Sequence, residues 1–317
     1  MSRILLTAIG SMAAAPVARR YQALGHAVFG CDIYPREWTA LAGELDFFQA
    51  RLATEGEPYV EQLREAVRRD MLDFLIPLTD PEVDALAPRK AEFRALGCTV
   101  CVPEERVAAL CRRKDKMNRF LAEKQVCRLI PTEIAVPGRP CPFPLPVMVK
   151  PRSGRSSLGQ AVAADEKSYQ TALAGREDCI VQPFLEGDIF CVDVARDAFG
   201  HTRAAARQEL LRNKSGLGMT VEVLPGHPLE AVCAAIAEAV GLVGVVNMEF
   251  IRHGDDFFFL EVNPRFSGGV GFSMASGMDF AEMMLCCHSG GSVEAFPAAP
   301  KHALLARESQ IILTKQL

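Results

Sequence analysis

The sequence predicts an α/β protein, in which an N-terminal doubly wound parallel-sheet domain is followed by a two-lobed α+β region. Residues 1–110 alternate short apolar runs with helical patterns, which is typical of parallel strands covered by helices on both faces. Beyond that point the chain becomes rich in consecutive strands and contains a clear hairpin pattern. Because 317 residues exceed one ordinary core, we predict three units over residues 1–110, 111–185 and 186–317.

Local signals justify the elements of the N-terminal unit. Pro16 suits the first turn of a helix, and Gly25 and Gly97 suit helix ends. The predicted strands cover residues 4–9, 27–33, 72–78 and 99–102, and the predicted helices cover residues 16–24, 59–69 and 82–96. Ligands bind at the carboxyl ends of strands in such sheets. Those ends supply the first substrate candidates, which are Gly10, Ser11, Asp32, Thr79 and Asp80.

The rest of the chain divides at a proline-rich link over residues 137–146. A helix begins near residue 111, before the link, and a strand, a glycine loop and a second strand follow it up to residue 162. Later we predict a helix over 166–174, a strand over 179–182, strands over 190–223, a helix over 228–240, a hairpin of 245–251 with 257–262, and a helix over 279–288. The hairpin turns around Gly254.

Composition excludes several classes of partner. The chain is 49% hydrophobic and 23% charged, with a net charge of −4 and no basic block, which argues against nucleic acid and anionic membranes as partners. Its apolar runs are too short to span a membrane. The first ten residues lack the basic region and cleavage site of a signal peptide and fit a first strand better. We therefore expect a cytoplasmic protein.

The cysteines and histidines indicate no metal or disulfide framework. Eleven cysteines, an odd number without framework spacing, are typical of reduced thiols in the cytoplasm. Cys98 and Cys101 form a CxxC pair in an apolar run without a second ligand pair, so we interpret them as core thiols, like Cys286 and Cys287. The six histidines show neither metal nor triad spacing.

A lysine followed by a glycine-rich loop indicates phosphate binding. Lys150 ends an apolar strand, where its ammonium group can meet phosphate oxygens as a point charge. The loop after it offers backbone N–H groups with little side-chain bulk, and its candidates are Ser153, Gly154, Ser156 and Ser157. It is not the GxxxxGK[ST] loop, which the sequence lacks.

The hairpin carries a candidate magnesium site. Glu261 and Asn263 are two residues apart in a strand and share a face. Glu249 on the other arm joins that face only if it pairs with a residue of the same parity, which predicts an odd number of loop residues. Carboxylate oxygens together with phosphate oxygens are the ligands that Mg²⁺ prefers.

The residues after the hairpin suit a reacting centre. The guanidinium of Arg265 could neutralise charge that grows on a transferring phosphoryl group or a tetrahedral intermediate. Ser267, Gly268 and Gly269 would bring backbone N–H groups near a substrate carboxylate.

In this order the motifs resemble the ATP-grasp superfamily. The resemblance runs from about residue 1 to 290 and is closest to the large chain of carbamoyl phosphate synthase and to stand-alone carboxylate–amine ligases. It is carried by Asp115-Lys116, Val149-Lys150-Pro151, the loop to Gly159, Gln182-Pro183-Phe184-Leu185, Asn247-Met248-Glu249, Glu261-Val262-Asn263-Pro264-Arg265, and the flanking runs 77–80 and 264–269.

The resemblance implies a three-lobed fold and roles for particular residues. ATP would lie between two lobes, with Lys116 and Lys150 on its phosphates and its adenine against Gln182, Pro183, Phe184 and Leu185. Two Mg²⁺ ions, which Mn²⁺ could replace, would lie on Glu249, Glu261 and Asn263. Arg265, Lys150 and Arg207, the last in a basic strand with Arg212 and Lys214, would be catalytic.

Two positions depart from the family pattern. Gln182 stands where a glutamate usually opens the adenine-binding segment, although its amide can still bond the adenine amino group. Ile189 stands where a ribose-binding glutamate is expected, and Asp188 or Glu186 could substitute for it.

The sequence therefore predicts an ATP-dependent carboxylate–amine ligase that forms an acyl phosphate and releases ADP and phosphate. The substrates would be a small carboxylic acid and an amine, with amino acids favoured, and the resemblance also allows a homodimer. Activation of bicarbonate or carbamate and a nucleotide sensor without turnover remain alternatives. A nicotinamide oxidoreductase is disfavoured because the first strand lacks a following GxGxxG.

Overall fold

The computed structural model describes residues 1–154, 158–214 and 216–316, and it confirms the predicted α/β class. The strands of these residues form three sheets, which are parallel in the N-terminal unit and largely antiparallel beyond it. Among the described helices, none is both long and apolar enough to cross a membrane.

The first sheet lies within residues 3–100 and is entirely parallel. Its strands are β1 (Arg3–Leu6), β2 (Ala27–Asp32), β3 (Asp46–Gln49), β4 (Phe74–Ile76) and β5 (Thr99–Val100), and the helices between them are α1 (Ala14–Ala23), α2 (Glu57–Asp70), α3 (Asp80–Leu86) and α4 (Lys90–Ala95). The strand order is β3-β2-β1-β4-β5. The ends of β1 and β4 are therefore neighbours, which brings the segments after them to one edge of the sheet.

Two details differ from the sequence prediction. The single helix predicted over residues 82–96 is broken into α3 and α4, with a short 3₁₀ turn, Ala87–Arg89, between them. Pro88 lies in this turn and lacks the N–H that a continuous helix needs. Strand β3 was not predicted, because its half-exposed residues show no alternation of apolar and polar positions.

The second sheet forms a small lobe with its own core. The chain reaches it through α5 (Glu105–Arg112), α6 (Lys114–Lys124) and β6 (Arg128–Leu129), and its elements are β7 (Glu133–Ile134), β8 (Val147–Pro151), β9 (Ala161–Ala163), α7 (Glu166–Leu173) and β10 (Cys179–Pro183). The order is β7-β10-β8-β9. Val147, Val149, Tyr169 and Leu173 are fully buried between this sheet and α7. This small core is separate from those of the two larger sheets.

The third sheet forms the floor of the cleft that is described in the next subsection. Its elements are β11 (Asp188–Arg196), β12 (Thr202–Arg212), β13 (Gly218–Val223), α8 (Pro228–Val240), β14 (Gly244–His253), β15 (Asp256–Asn263), α9 (Val270–Ala275), α10 (Phe280–His288) and β16 (Ala303–Ala306). The order is β16-β13-β12-β11-β14-β15-β6. The boundaries proposed near residues 110 and 185 fall between the strand sets of the three sheets, except that β6 joins the third.

The N-terminal unit is fixed to the third sheet through α10. The Tyr21 hydroxyl donates to the Ala281 carbonyl at 2.8 Å, and Arg20 pairs with Asp279 at 2.7 Å. Apolar residues of β1, α1, α10 and the third sheet share one buried cluster. This packing holds the carboxyl ends of β1 and β4 over the floor of the cleft described next.

Candidate active site

A cleft of about 490 Å³ lies where the three sheets meet. Its volume falls in the usual range for small-molecule sites. Lys150 and Met148 of β8 line it from the small lobe, Thr79 and Asp80 line it from the N-terminal unit, and strands β11, β12, β14 and β15 form its floor. Most of the sequence-predicted site residues therefore converge on one space, although they come from every part of the chain.

Glu249 and Glu261 face the same side, but not for the predicted reason. The loop between β14 and β15 contains two residues, Gly254 and Asp255, so the predicted odd loop is wrong. A β-bulge corrects the parity: Phe250 pairs with Phe259, whereas Glu249 pairs with Glu261, which leaves Leu260 as an extra residue. The bulge restores the shared face that the loop alone would have lost.

Of the two candidate carboxylate ligands, Glu261 has the closer charged partner. It pairs with the Lys114 ammonium at 2.9 Å and accepts a hydrogen bond from the Asn263 amide at 3.2 Å. Burial alone would raise the pKa of Glu261, but the charge and hydrogen bond of Lys114 bring it below its ordinary value. Glu261 is therefore ionised at neutral pH.

Glu249 is less well compensated. Burial and the neighbouring charge of Glu261 raise the pKa of Glu249 to about 7, and its nearest cation, Arg212, is 3.9 Å away. An added cation between the two carboxylates would relieve this penalty, so the donor set fits a hard divalent ion. No group of three or more His, Cys, Asp or Glu side chains within the described ranges could hold a metal. The remaining ligands of such an ion would have to be Asn263, water and phosphate oxygens.

Glu249→Gln should stabilise the metal-free protein at alkaline pH. Because the folded-state pKa is raised from 4.5 to about 7, the folded protein binds more protons between these values, and stability falls as pH rises through that window. The full penalty above pH 7 is about 3 kcal/mol at most; since 21% of the side chain is exposed, we expect a gain of about 1–2 kcal/mol. Denaturant unfolding in EDTA at pH 8 measures it.

The same measurement at pH 4.5 is the internal control for Glu249→Gln. There the carboxyl is protonated in the folded state and half ionised in the unfolded state, so the difference between wild type and variant should fall below about 0.5 kcal/mol. If wild type and variant were equally stable at pH 8 as well as at pH 4.5, the raised pKa of Glu249 would be contradicted.

Two lysines face the carboxylates, and one of them was not predicted. Lys150 is buried, and burial lowers its pKa to about 8 although the charge of Glu261 acts in the opposite direction. The second is Lys114, whereas the predicted phosphate ligand Lys116 is exposed and does not line the cleft. Residues two apart on a helix point in nearly opposite directions, so only one of these lysines can face inward. The i, i+3, i+7 spacing of Lys114, Met117 and Leu121, all buried, was the signal available in the sequence.

The loop after Lys150 contributes little that the structure describes. Ser153 is exposed, and neither it nor Gly154 lines the cleft, although the Gly154 carbonyl accepts a hydrogen bond from Lys114 at 3.4 Å. The other two predicted loop residues, Ser156 and Ser157, lie outside the described residues.

The predicted adenine segment lines one end of the cleft. Gln182, Pro183, Phe184 and Leu185 all face it. The Gln182 amide N–H donates to the Thr132 hydroxyl at 2.6 Å, and that hydroxyl donates in turn to the Ile130 carbonyl at 2.8 Å. This chain of bonds fixes the orientation of the amide and leaves its oxygen as the acceptor. Thr132 was not predicted, since its partner is fifty residues away.

Asp188 is not placed to bind a ribose. It forms an ion pair with Arg252 away from the cleft, whereas Ile189 lines the cleft. Successive residues of a strand face opposite sides, so Asp188 and Ile189 cannot both point inward. Glu186 is exposed and does not line the cleft either.

At the other end of the cleft, most but not all of the predicted substrate residues converge. Ser11, Thr79, Asp80, Ser267, Gly268 and Gly269 line it. Gly10 and Asp32 do not: the Asp32 carboxylate accepts hydrogen bonds from the backbone N–H groups of Gly10 at 2.7 Å and Tyr34 at 3.2 Å. Asp32 therefore holds the turn after β1 rather than a substrate.

Arg265 lies beside Asp80 at this end. Its guanidinium pairs with the Asp80 carboxylate at 3.1 Å and donates to the Phe266 carbonyl at 3.0 Å. Asp80 is fully buried and 3.8 Å from Arg112. The structure thus brings the predicted cation to the cleft and supplies a counter-charge from the N-terminal unit.

Arg207 lines the cleft, but its guanidinium is already bound by side chains of the protein. It is buried, pairs with Asp193 at 2.6 Å and Glu209 at 3.3 Å, and donates to the hydroxyls of Ser273 and Ser267, each at 3.1 Å. With two carboxylates beside it, its charge is already neutralised. Its position beneath the turn of residues 267–269 makes it a support for that turn.

The chain is similar in fold, and over part of its sequence, to ATP-grasp proteins. The family model described as "ATP-grasp in the biosynthetic pathway with Ter operon" matches residues 175–311. Among solved structures, the chain is similar to biotin carboxylase from Campylobacter jejuni (TM-score 0.75, 17% identity, 92% of this chain and 72% of that one) and to L-amino acid ligase from Bacillus licheniformis (TM-score 0.71, 14% identity, 92% and 74%). At these identities the likeness shows the fold.

Curated relatives are also similar in sequence. The formate-dependent phosphoribosylglycinamide formyltransferase of Synechococcus sp. (strain CC9605) is 28% identical over 280 residues, which cover 78% of this chain and 66% of the relative. That of Prochlorococcus marinus (strain MIT 9303) is 27% identical over 236 residues, 65% of this chain and 56% of the relative. The chain thus spans between about half and two thirds of the length of these relatives.

Proposed function

We propose that the protein is an ATP-dependent carboxylate–amine ligase that forms an amide bond through an acyl phosphate and releases ADP and phosphate. The observation that supports this best is that Glu249, Glu261 and Lys150 line one cleft, with Lys114 ion-paired to Glu261. The segment of residues 182–185, which we assign to the adenine, lines one part of the cleft, and Arg265 lines another. Phosphoryl transfer needs mainly positioning and electrostatic stabilisation, and these residues supply both.

The lysines bind and orient the phosphates. Burial lowers the pKa of Lys150 to about 8, and a polyphosphate beside it would stabilise the ammonium form further. Lys114 would exchange its Glu261 partner for phosphate oxygens. Mg²⁺ on Glu249, Glu261 and Asn263 would neutralise phosphate charge when bound. Arg265 faces the space where the acid would receive the phosphoryl group.

Further features belong to the proposal. We propose two Mg²⁺ ions, amino acids as substrates, a homodimer and a cytoplasmic location. All eleven cysteines are free thiols, which supports a reducing compartment.

Product analysis tests the proposed function. Purified protein is incubated with ATP, Mg²⁺ and pools of amino acids and small carboxylic acids, and Lys150→Ala is the control. ADP and phosphate that appear only with a particular pool, and not with the variant, support the ligase. AMP and pyrophosphate, or ATP binding without turnover with any pool, would contradict it.

Thr132→Val should weaken the preference for ATP over ITP about tenfold, the equivalent of roughly one hydrogen bond. In the wild type the Gln182 amide oxygen is held as an acceptor, which suits the adenine amino group and opposes the carbonyl of hypoxanthine. Without the Thr132 hydroxyl the amide can rotate and donate instead. The ratio of the two dissociation constants measures the effect.

Thr132→Ser is the matched control for this selectivity, because it keeps the hydroxyl. An unchanged ratio in Thr132→Val, or an equal change in both variants, would show that the Gln182 orientation does not select the base.

A further inference from the structure

Four unpartnered polar atoms are concentrated at the substrate end of the cleft. Among the described residues, ten buried side-chain nitrogen or oxygen atoms lack a hydrogen-bond partner, and four of them belong to residues that line this cleft. They are Ser11 Oγ, Asp80 Oδ1, Glu209 Oε2 and Arg265 Nε. A buried polar atom without a hydrogen-bond partner is unfavourable. A cluster of them in one cleft indicates groups arranged for a ligand.

The atoms share one neighbourhood around the turn of residues 267–269. Asp80 is paired with Arg265, and Arg207 bridges from Glu209 to the Ser267 hydroxyl beneath the turn. On the opposite side, a side chain added at Gly268 would contact Met12, the residue after Ser11. The nucleotide end, with Gln182, has no atom in this set.

The charges at this end do not favour a simple anion. Most of the arginines here are already ion-paired: Arg265 with Asp80, Arg207 with Asp193 and Glu209, and Arg112 with Asp80 and Asp84. Their charges are therefore largely neutralised. What remains free is chiefly the acceptor capacity of two carboxylates.

The carboxylates of Asp80 and Glu209 are buried, and within the residues that the structure describes only one of the two oxygens in each accepts a hydrogen bond. The Asp80 side chain is 1% exposed and the Glu209 side chain is 3% exposed. One oxygen of each accepts from an arginine, and the other has no partner among the described residues. A buried carboxylate oxygen needs a donor, and an ammonium group offers three donors and no acceptor.

We propose that Asp80 and Glu209 bind the amine substrate of the proposed ligase as its ammonium ion. This deepens the proposed function by assigning the amine a place and adding Glu209, which the sequence did not indicate. Arg265, which pairs with Asp80, has an Nε donor that is unpartnered among the described residues, and this suits an amine that also carries a carbonyl or carboxylate oxygen, as an amino acid does.

A divalent cation suits this place less well. Oε1 of Glu209 already accepts a hydrogen bond from the Arg207 guanidinium, whose positive charge would repel a metal ion. Glu209, Glu249 and Glu261 also do not form a three-carboxylate metal cluster in the part of the chain described. The ammonium is the ligand that uses the free oxygens without displacing the arginines.

Gly218 supplies an independent way to disturb Glu209. A Cβ at position 218 would collide with Glu209 Oε2. The φ angle of Gly218 lies outside the left-handed region, so the backbone accepts alanine. Gly218→Ala thus displaces the carboxylate without removing its charge, whereas Glu209→Gln removes the charge with little change in shape.

Ligand-observed saturation-transfer NMR tests the proposal on the full chain with MgADP present. The probes are the twenty common amino acids, methylamine and ethanolamine. We expect at least one amine to bind wild type, and its affinity to fall at least tenfold in Glu209→Gln and in Gly218→Ala, with the ADP signals unchanged. Hydroxy acids, which lack the ammonium group, should not bind at this site.

The matched control is Glu222→Gln on the adjacent strand β13. Glu222 is the strand partner of Gln208 on β12, which precedes Glu209, and its side chain forms a hydrogen bond with the exposed His302. It loses the same charge and should leave amine binding unchanged. Amine binding that is equal in wild type and Glu209→Gln, or no amine binding to an ADP-bound wild type, would overturn the proposal. So would a tenfold loss of Mg²⁺ affinity in Glu209→Gln without loss of amine binding.

The outcomes separate this proposal from the ligase itself. Amine binding that depends on Glu209, in a protein without acid-dependent ATP turnover, would overturn the ligase and leave the ammonium site. If the protein showed acid-dependent turnover and the KM for the amine were unchanged in Glu209→Gln, the ligase would stand and the ammonium site would be overturned.

Discussion

Glu261→Gln should lower the rate of acid-dependent ATP turnover by about 10²–10³-fold. Glu261 interacts more closely with cations than Glu249 does: it pairs with Lys114 at 2.9 Å, and it offsets more of the effect of burial on the pKa of Lys150. Glutamine keeps the shape but neither neutralises the two lysines nor offers a charged metal ligand. Turnover at saturating Mg²⁺ and ATP measures the loss.

Nucleotide binding without metal should respond in the opposite direction. Once Glu261 is neutral, Lys114 is released for phosphate, so ATP affinity in EDTA should stay equal or rise while turnover falls. Asp256→Asn is the control, because Asp256 lies on the same strand and pairs with the exposed Arg128 at the surface. A Glu261→Gln protein that is folded and turns over ATP within about threefold of the Asp256→Asn rate would contradict the metal assignment.

The fold class could be predicted because its signals are local. The alternation of strands and helices, the hairpin and the helix ends at glycine all depend on neighbouring residues. Pro88 was also a visible signal, and it accounts for the break between α3 and α4. The convergence of Lys150, Gln182 and Glu261 followed from the order of motifs along the chain.

Two features were harder to predict: which face of a helix is buried, and which residues pair between strands. The choice between Lys114 and Lys116 depends on which face of α6 is buried, and the two residues differ by about 200° around the helix. The bulge at Leu260 depends on how two strands pair, which a single strand does not reveal. Loop parity alone therefore gave the wrong geometry for a correct shared face.

Counter-charges were missed for the same reason. Arg265 meets Asp80, which is 185 positions away in the chain, and Arg207 meets Asp193 across a strand pair. Sequence patterns place a cation in a site without showing what already neutralises it. The distinction matters for mechanism, because a neutralised arginine such as Arg207 orients its neighbours, whereas one that keeps a free N–H toward the cleft can act on a substrate.

Arg265→Met should lower kcat by about 10²-fold, with a change in the KM for ATP of no more than about twofold. Arg265 pairs with Asp80 of the N-terminal unit, whereas the predicted adenine segment begins in β10 of the small lobe. Within the described residues, the Nε of its guanidinium has no hydrogen-bond partner. Methionine keeps much of the volume but removes the charge that would offset a developing anion. Arg265→Lys should restore only part of the rate, because an ammonium group cannot serve Asp80 and a substrate in the same geometry. Steady-state kinetics with saturating acid and amine measure both variants.

A purely structural role for Arg265 makes a different prediction. Removing the partner of the buried Asp80 would then destabilise the protein by about 3–5 kcal/mol, and Asp80→Asn together with Arg265→Met would restore stability and have the same kcat as Asp80→Asn alone. If Arg265 acts on the reaction, the double variant recovers stability while its kcat stays below that of Asp80→Asn alone. The double-mutant cycle therefore separates the two roles, because it measures stability and kcat on the same four proteins.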